Sequence, residues 1–214
     1  MSRSEKAEAT RQSILDRGQM LVLQKGFVGV GLQEILKASG VPKGSFYYYF
    51  PSKEAFGCAL LQRYVEGYLA QMDQLLAADL PDGRIRLMRY WSAWLAGPED
   101  PARGWAEDCL VVKLAAEVAD LSEDMRRVLN DGVAALVARI AGMIAEARAD
   151  GSLPAGAPPQ ALAQMLYQMW LGAALLTKLS RDRTAMQQAF TATEALLVCP
   201  GPQAATPNFS GGRS

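Results

Sequence analysis

Three consecutive tyrosines lie between two phenylalanines in the segment SGVPKGSFYYYFPSKEAF, residues 39–56. A helix has 3.6 residues per turn, so it can direct only part of such a run into a core, and the remaining rings must face outward. If Phe46 and Phe50 share the buried face, Tyr47 and Tyr48 point away from it. Their hydroxyl groups, with lysines near both ends of the segment, suit phosphate oxygens as partners.

The start of the same short helix adds further groups that can bind an anion. Lys43 supplies a charge and Ser45 a hydroxyl, while Gly44 lets a ligand approach the backbone closely. The first amide groups of a helix also point toward an anionic ligand, and Lys53 follows at the other end of the segment. The alternative is an aromatic helix, polar at its start, that is buried against another domain.

Cys109 is the candidate for nucleophilic chemistry. It lies near the start of a predicted helix, 104–118, where the helix dipole favours a thiolate, and Lys113 lies one turn further along the same face. A pKa lowered by one unit from about 8.5 would raise the thiolate fraction at pH 7.4 from roughly 7% to about 45%. Glu107 and Asp108 would oppose that shift if they lie close. The alternative is a small buried core residue, which is the more common position of cysteine.

Other kinds of chemistry lack the residues they need. The chain contains no histidine, which excludes Ser-His and Cys-His nucleophilic machinery. Three widely spaced cysteines (58, 109 and 199) form neither a disulfide framework nor a zinc pattern. We find no acid–base pair, metal cluster or phosphate loop, so we predict a protein that is not an enzyme and uses no cofactor or metal.

We expect a reducing, cytoplasmic setting with no membrane partner. The first residues, MSRSEKAEATRQSIL, lack the apolar region of a signal peptide. The most apolar stretch, 161–179, contains Gln164, Gln168 and Lys178 and falls short of a spanning helix.

Charge is distributed unevenly along a chain whose formal net charge is zero. Residues 1–57 carry eight basic and five acidic residues, whereas the remainder carries 14 basic and 17 acidic ones. A basic head on an acidic body favours DNA contact confined to the head.

The elements that must position these residues are helices, and we predict an all-α fold. The predicted helices are 5–25, 32–39, 43–50, 53–77, 83–96, 104–118, 122–150, 158–180 and 183–198. The second and third are joined by a Ser-Gly turn and braced by the first, which makes a helix-turn-helix. We divide the chain into a three-helix head (1–52), a larger helical body (53–199) and a Pro/Gly/Ser-rich tail (200–214) that we predict to be disordered.

The segment VGLQEILKASGVPKGSFYYYFPSKEAF resembles the DNA-binding head of TetR-type transcriptional repressors. The resemblance implies a homodimer on a palindromic double-stranded DNA operator and a ligand-sensing, dimerising body whose last two helices form the interface. Gly31 departs from the Ser or Thr that caps the first short helix in many members, at small cost. The implied DNA contacts are Lys43, Gly44, Ser45, Tyr47, Tyr48 and Lys53. We expect base reading from the start of the same helix and from Gln33.

The segments 108–129 and 166–181 are similar to a member of that family that senses reactive electrophiles and oxidants. This resemblance implies that Cys109 is the principal sensor and that Lys178 assists it. Lys178 could instead extend from a helix end into solvent. We interpret Met165, Met169 and Trp170 as interface packing and the small residues 172–174 as a dimer seam.

Two functions therefore remain open for a TetR-type repressor. In one, an electrophile or oxidant modifies Cys109 and releases the operator. In the other, a hydrophobic small molecule binds reversibly and Cys109 is structural.

Overall fold

The computed structural model describes residues 2–77, 80–97 and 103–197, and this part of the chain contains nine α-helices and no β-strand. The helices are α1 (Arg3–Lys25), α2 (Leu32–Ser39), α3 (Lys43–Tyr49), α4 (Lys53–Leu76), α5 (Gly83–Leu95), α6 (Leu110–Leu121), α7 (Glu123–Ala149), α8 (Pro159–Ser180) and α9 (Thr184–Leu196). The predicted all-α fold is confirmed, and eight of the predicted helices agree with these bounds to within two residues at each end. Cys199 and the tail predicted at 200–214 lie outside the described residues.

Several helices begin where a side chain accepts a hydrogen bond from a free backbone N–H of the first turn. The Ser52 hydroxyl accepts the N–H of Ala55 at 2.9 Å, and Ser122 accepts that of Met125 at 3.2 Å. Gly31 has no side chain to do this, so the Glu34 carboxylate instead accepts the N–H of Gly31 at 3.2 Å. The predicted small cost of a glycine at this position therefore has a structural reason.

The predicted helix at 104–118 is wrong in its first part, because α6 begins only at Leu110. The backbone before it pairs elsewhere: the Trp105 N–H donates to the carbonyl of Ala93 in α5 at 2.9 Å. The Glu107 carboxylate also accepts the N–H of Gly104 at 2.9 Å. These bonds accompany a turn at residues 105–108, which leaves Cys109 as the N-cap of α6.

The head packs around aromatic and aliphatic residues of α1–α4. Ile14, Ile35, Phe46, Phe50 and Phe56 are buried in one cluster. The Phe46, Phe50 and Phe56 rings lie 5.3–5.7 Å apart, and aromatic pairs at such distances add to the burial energy. The aromatic run thus fixes α3 on the head.

The body is built on α7, which packs against α4, α5, α6 and α8. Trp91 of α5 stacks on Trp170 of α8 at 4.9 Å and 16°, and the Trp170 N–H donates to Thr193 of α9 at 2.9 Å. By length and composition alone α7 could cross a membrane, but the core helix of a soluble protein passes the same test.

The head core continues into the body. Leu110, Leu114 and Val118 of α6 and Met125 of α7 belong to the same buried cluster as the α1–α3 residues. The division at residues 52 and 53 stays a prediction, and the packing joins α6 to the head.

The outer face of α8 carries exposed apolar side chains. Met165, Leu175, Leu176 and Leu179 are exposed, as is Leu196 of α9. The interpretation of Trp170 as interface packing is wrong, since its ring lies in the body core. Ala173 and Ala174 are also buried within the chain, so the larger leucines, rather than the small residues, form the surface available to a second subunit.

Candidate DNA-binding surface and cysteine site

The outward face of α3 carries the residues expected to bind phosphate. Tyr48 is 78% exposed and Tyr47 is 44% exposed, whereas Phe46 is fully buried, as the helical spacing predicted. Lys43 is exposed at the start of the helix, and its ammonium lies 5.9 Å from the centre of the Tyr47 ring. Gly44 is exposed beside it, and the space on the side-chain side of its Cα is open.

Ser45 is half-buried on α3, and Gln33 is exposed on α2. The N–H of Ser45 donates to the carbonyl of Pro42 at 3.0 Å. The two short helices are joined through Gly40, whose φ of 67° belongs to the left-handed region that favours glycine. This turn joins α2, which carries Gln33, to α3 and so forms the helix-turn-helix. The contacts of these residues with DNA stay predictions.

Lys53 differs from the other predicted DNA contacts. Its ammonium donates to the carbonyl of Phe27 at 2.9 Å and lies 4.7 Å from the centre of the Phe27 ring. Burial lowers the pKa of this lysine. In this conformation Lys53 fastens α4 to the loop between α1 and α2, so its charge is engaged within the head.

Cys109 is the N-cap of α6 and is only 3% exposed. The N–H groups of Val111 and Val112 favour its thiolate, as the position at a helix start predicted, although neither makes a regular capping hydrogen bond. Burial outweighs them and raises the pKa of the Cys109 thiol. The burial matches the sequence alternative of a small buried residue, while the role of Cys109 as a sensor stays a prediction.

Lys113 lies one turn after Cys109, as the helical spacing predicted, since its N–H donates to the Cys109 carbonyl at 3.1 Å. Its ammonium donates to the carbonyl of Gln24, near the end of α1, at 3.5 Å. Its charge is not among the causes that shift the pKa of Cys109. Lys113 thus contacts the head, and its predicted role at the sulfur gains no support from the geometry.

Lys178 of α8 lies near the turn that precedes Cys109. It is exposed, and its ammonium donates to the carbonyl of Glu107 at 3.0 Å. Its charge lowers the pKa of Cys109, against the larger effect of burial. The side chain is thus exposed while its ammonium binds a carbonyl near Cys109, and its assisting role stays a prediction.

The two carboxylates before Cys109 are paired with arginines. Glu107 binds Arg183 at 2.5 Å, and Asp108 binds Arg103. Neither carboxylate is among the causes that shift the pKa of Cys109. Each carboxylate is thus paired with a positive charge, and its opposition to a thiolate stays a prediction.

A narrow cavity, partly open to solvent and with free space for about one water molecule, adjoins Cys109. Its walls come from α4, α5, α6, α7 and α8 and are mostly aromatic and aliphatic. The lining residues include Tyr64, Tyr68, Trp94, Leu129, Leu136 and Tyr167. Its apolar lining suits an apolar molecule, but a molecule larger than water would have to displace the lining side chains. Among the described residues, no cluster of three or more His, Cys, Asp or Glu side chains could hold a metal ion.

Glu117 links the cysteine's helix to the DNA-binding head. Its carboxylate accepts the N–H of Phe27 at 3.1 Å and also that of Val28, both in the loop between α1 and α2. A carboxylate that accepts two backbone N–H groups makes a strong, directional contact. We call this contact the Glu117 latch. Cys109 and the latch lie on the same helix, at its start and toward its end.

Sequence reasoning missed two residues of this site, Tyr64 and Glu117. Tyr64 lines the cavity beside Cys109. Each is distant in sequence from its partner, and neither forms a recognisable motif with it. The residue types gave no signal, since a tyrosine on a core-facing helix and a glutamate on a helix surface are ordinary.

Comparisons with known proteins agree with this architecture. Residues 14–56 match the family described as bacterial regulatory proteins, tetR family, and residues 83–193 match the tetracyclin repressor-like C-terminal domain. The chain is 39% identical over 191 residues to the HTH-type transcriptional repressor NemR of Escherichia coli strain K12, covering 89% of this chain and 95% of NemR. It is 38% identical over 176 residues to the transcriptional regulator AcuR of Cereibacter sphaeroides, covering 81% and 78% of the two chains.

Solved structures give the same result. A crystal structure of the reduced form of E. coli NemR superimposes with a TM-score of 0.81, covering 90% of this chain and all of that one, at 39% identity. A structure described as a TetR/AcrR-family regulator matches with a TM-score of 0.80 at 51% identity, covering 89% of this chain and 100% of that one.

Proposed function

The chain belongs to the TetR family of transcriptional repressors and is closely related to NemR, and we propose that it releases its operator when an electrophile or oxidant modifies Cys109. The observation that carries the proposal is the path from Cys109 to the head. The N-cap cysteine and the Glu117 latch share one short helix. A change at one end of α6 is therefore transmitted to the loop that positions the helix-turn-helix.

Modification at Cys109 cannot be accommodated without movement. The side chain is 3% exposed and adjoins a narrow cavity, so an added group must displace its neighbours. Packed interiors have little free space, and overfilling them shifts side chains and backbone. Because the N-terminal part of α6 packs in the same cluster as α1–α3, we expect the helix to move with the loop that it holds.

Release then follows from the geometry of binding by a dimer. Family members bind DNA as dimers, and two recognition helices must enter successive major grooves at a fixed spacing. In this chain the phosphate contacts would come from Lys43, Gly44, Ser45, Tyr47 and Tyr48. Loss of two phosphate contacts per subunit would cost roughly several kcal/mol of binding free energy, because each contact contributes hydrogen bonds and counterion release.

Lys178 is assigned an assisting role at the cysteine. Its ammonium lies at the carbonyl of Glu107, two residues before Cys109, and its charge favours the thiolate. The same charge would stabilise an oxidised, anionic sulfur. The description of the solved NemR structure as its reduced form supports a redox-responsive relative.

A second candidate function has specific support. Burial raises the pKa of Cys109, which slows attack by the thiolate. The adjoining cavity is apolar, and the buried indole N–H of Trp94, one of its lining residues, lacks a regular hydrogen-bond acceptor. A hydrophobic molecule with an acceptor atom could bind there reversibly and leave Cys109 structural.

Intact-mass analysis combined with a DNA-binding assay, before and after a mild electrophile, separates the two functions. The covalent function predicts a mass increase that maps to Cys109 and is accompanied by a fall in operator affinity. Operator release without any mass change would instead establish a reversible ligand. Cys58 provides an internal reference, since burial and nearby carboxylates raise its pKa also.

A further inference from the structure

The loop between α1 and α2 is held on two sides by side chains of opposite charge. On one side the Glu117 latch accepts the N–H groups of Phe27 and Val28. On the other side the Lys53 ammonium donates to the carbonyl of Phe27 at 2.9 Å. The main chain of Phe27 is therefore bonded to α6 through its N–H and to α4 through its carbonyl.

The side chain of Phe27 is fixed against α4 as well. Its ring is buried, and the Lys53 ammonium lies over it at 4.7 Å from the ring centre. Gly57 lies one helical turn after Lys53, and a Cβ atom added there would come within 2.7 Å of the ring. Because Gly57 has no side chain, the ring can lie against α4 beneath the Lys53 ammonium.

The contact between Lys53 and Phe27 closes the helix-turn-helix at its two ends. Phe27 lies in the loop that enters α2, and Lys53 is the first residue of α4, which follows α3. The two residues are 26 positions apart, and the segment between them contains both short helices. The contact thus ties the chain that enters the helix-turn-helix to the helix that leaves it.

Lys43, the other lysine of the aromatic segment, is placed differently. It is exposed on α3, whereas Lys53 is half-buried. A DNA phosphate can approach Lys43 from solvent. To bind Lys53, a phosphate would have to draw the ammonium away from both the carbonyl and the ring of Phe27.

We propose that Lys53 is a positioning residue for DNA binding, which sets the orientation of the helix-turn-helix on α4 through Phe27 and does not contact phosphate. This role differs from the DNA contact that the family resemblance implies for Lys53. It involves no chemistry at Cys109, so its test is independent of the covalent function.

The test is the salt dependence of operator affinity in full-length wild type, Lys53→Met and Lys43→Met. Fluorescence anisotropy measures the affinity between about 50 and about 200 mM salt, with an operator selected from random DNA by the wild-type protein. Each lysine–phosphate contact releases counterions, so its loss reduces the slope of log affinity against log salt by about one. Methionine keeps an unbranched side chain but removes the charge.

Lys53→Met should bind the operator about tenfold more weakly at every salt concentration, with the wild-type slope, because the helix-turn-helix loses its orientation while the phosphate contacts remain. Lys43→Met should reduce the slope by about two in the dimer. Lys53→Arg should recover most of the affinity, since a guanidinium can also donate to the carbonyl and lie over the ring. Circular dichroism at the assay temperature shows that each variant is folded.

A slope that falls as much in Lys53→Met as in Lys43→Met overturns the positioning role, since Lys53 then contacts phosphate. Wild-type affinity in folded Lys53→Met also overturns it, because a purely structural role lowers the melting temperature and leaves the affinity of the folded protein unchanged. If Lys53→Met does not fold, Lys53→Gln serves for the same comparison of slopes and affinities.

Discussion

At the scale of single residues, helical spacing predicted which rings of the aromatic run are buried. It could not predict how deeply Cys109 is buried. Phe46 and Phe50 face the core and Tyr47 and Tyr48 face outward because residues four apart share a face. Cys109 lies at a helix start, as predicted. Burial raises the pKa of its thiol, and this burial could not be predicted because it depends on helices distant in sequence. The same separation in sequence explains why the position of Tyr64 beside Cys109 in the cavity was not predicted.

The outward tyrosines give a prediction about DNA affinity. Tyr48→Phe removes a hydroxyl from a 78% exposed side chain, so the fold should be unaffected while a phosphate contact is lost. We expect weaker binding by about 1 kcal/mol per subunit, equally for the operator and for unrelated DNA, since phosphates carry no sequence information. Fluorescence anisotropy at fixed salt, with an operator selected from random DNA by the wild-type protein, measures both affinities.

Tyr49→Phe is the control for that measurement, because Tyr49 is half-buried at the border of the core and is not a predicted contact. An altered sequence preference in Tyr48→Phe, with unchanged overall affinity, would show that Tyr48 reads bases.

At the scale of secondary-structure elements, helix bounds were predictable from caps and periodicity, whereas the role of α6 was not. The segment before it was predicted to be helical. It is not helical because part of its backbone donates to α5 rather than within the segment. Nor could periodicity show that the apolar face of α6 completes the head core. The Glu117 latch makes this helix the connection between Cys109 and the head.

Glu117→Gln tests that connection. The amide keeps the size of the side chain but cannot accept both N–H groups as a charged carboxylate does. We expect Cys109 to be alkylated at the wild-type rate while operator release by the alkylated protein becomes smaller. Loss of the charge-assisted contact should also lower the free energy of unfolding by about 1–3 kcal/mol, measured by urea denaturation.

Glu123→Gln serves as the matched control, since Glu123 pairs only with Arg126 and Arg127 on its own helix among its ion pairs within the described residues. If Glu117→Gln releases the operator as fully as wild type does after alkylation, the signal travels by another route.

At the scale of the whole molecule, the family resemblance and the helix inventory predicted a basic head on a larger helical body, and the fold confirms the helices and the helix-turn-helix. The predicted dimer seam fits the single chain less well. Small residues on α8 suggested close helix approach, but two of them are used inside the subunit, and leucines occupy the exposed face. Which face of a helix is already covered depends on the packing of α5, α7 and α9 around it.

The exposed face of α8 should hold the dimer together. Leu176→Glu places a charge on a side chain that is 55% exposed in the single chain, so the subunit should fold while association weakens. We expect a shift toward monomer at micromolar concentration in sedimentation velocity, together with loss of operator affinity, since one head binds only half a site. Leu121→Glu, on a comparably exposed leucine (48%) at the end of α6, should remain dimeric. A Leu176→Glu protein that stays fully dimeric would exclude this face as the interface.

The covalent switch at Cys109 is tested by operator release after electrophile treatment in wild type and Cys109→Ser, with Lys178→Met beside them. All three proteins should bind the operator with similar affinity before treatment, because neither residue lies on the DNA-binding surface. After treatment we expect release of wild type, a weaker response from Lys178→Met and none from Cys109→Ser. If Cys109→Ser releases the operator as fully as wild type does, the covalent mechanism is contradicted, and a ligand bound reversibly in the adjoining cavity takes its place.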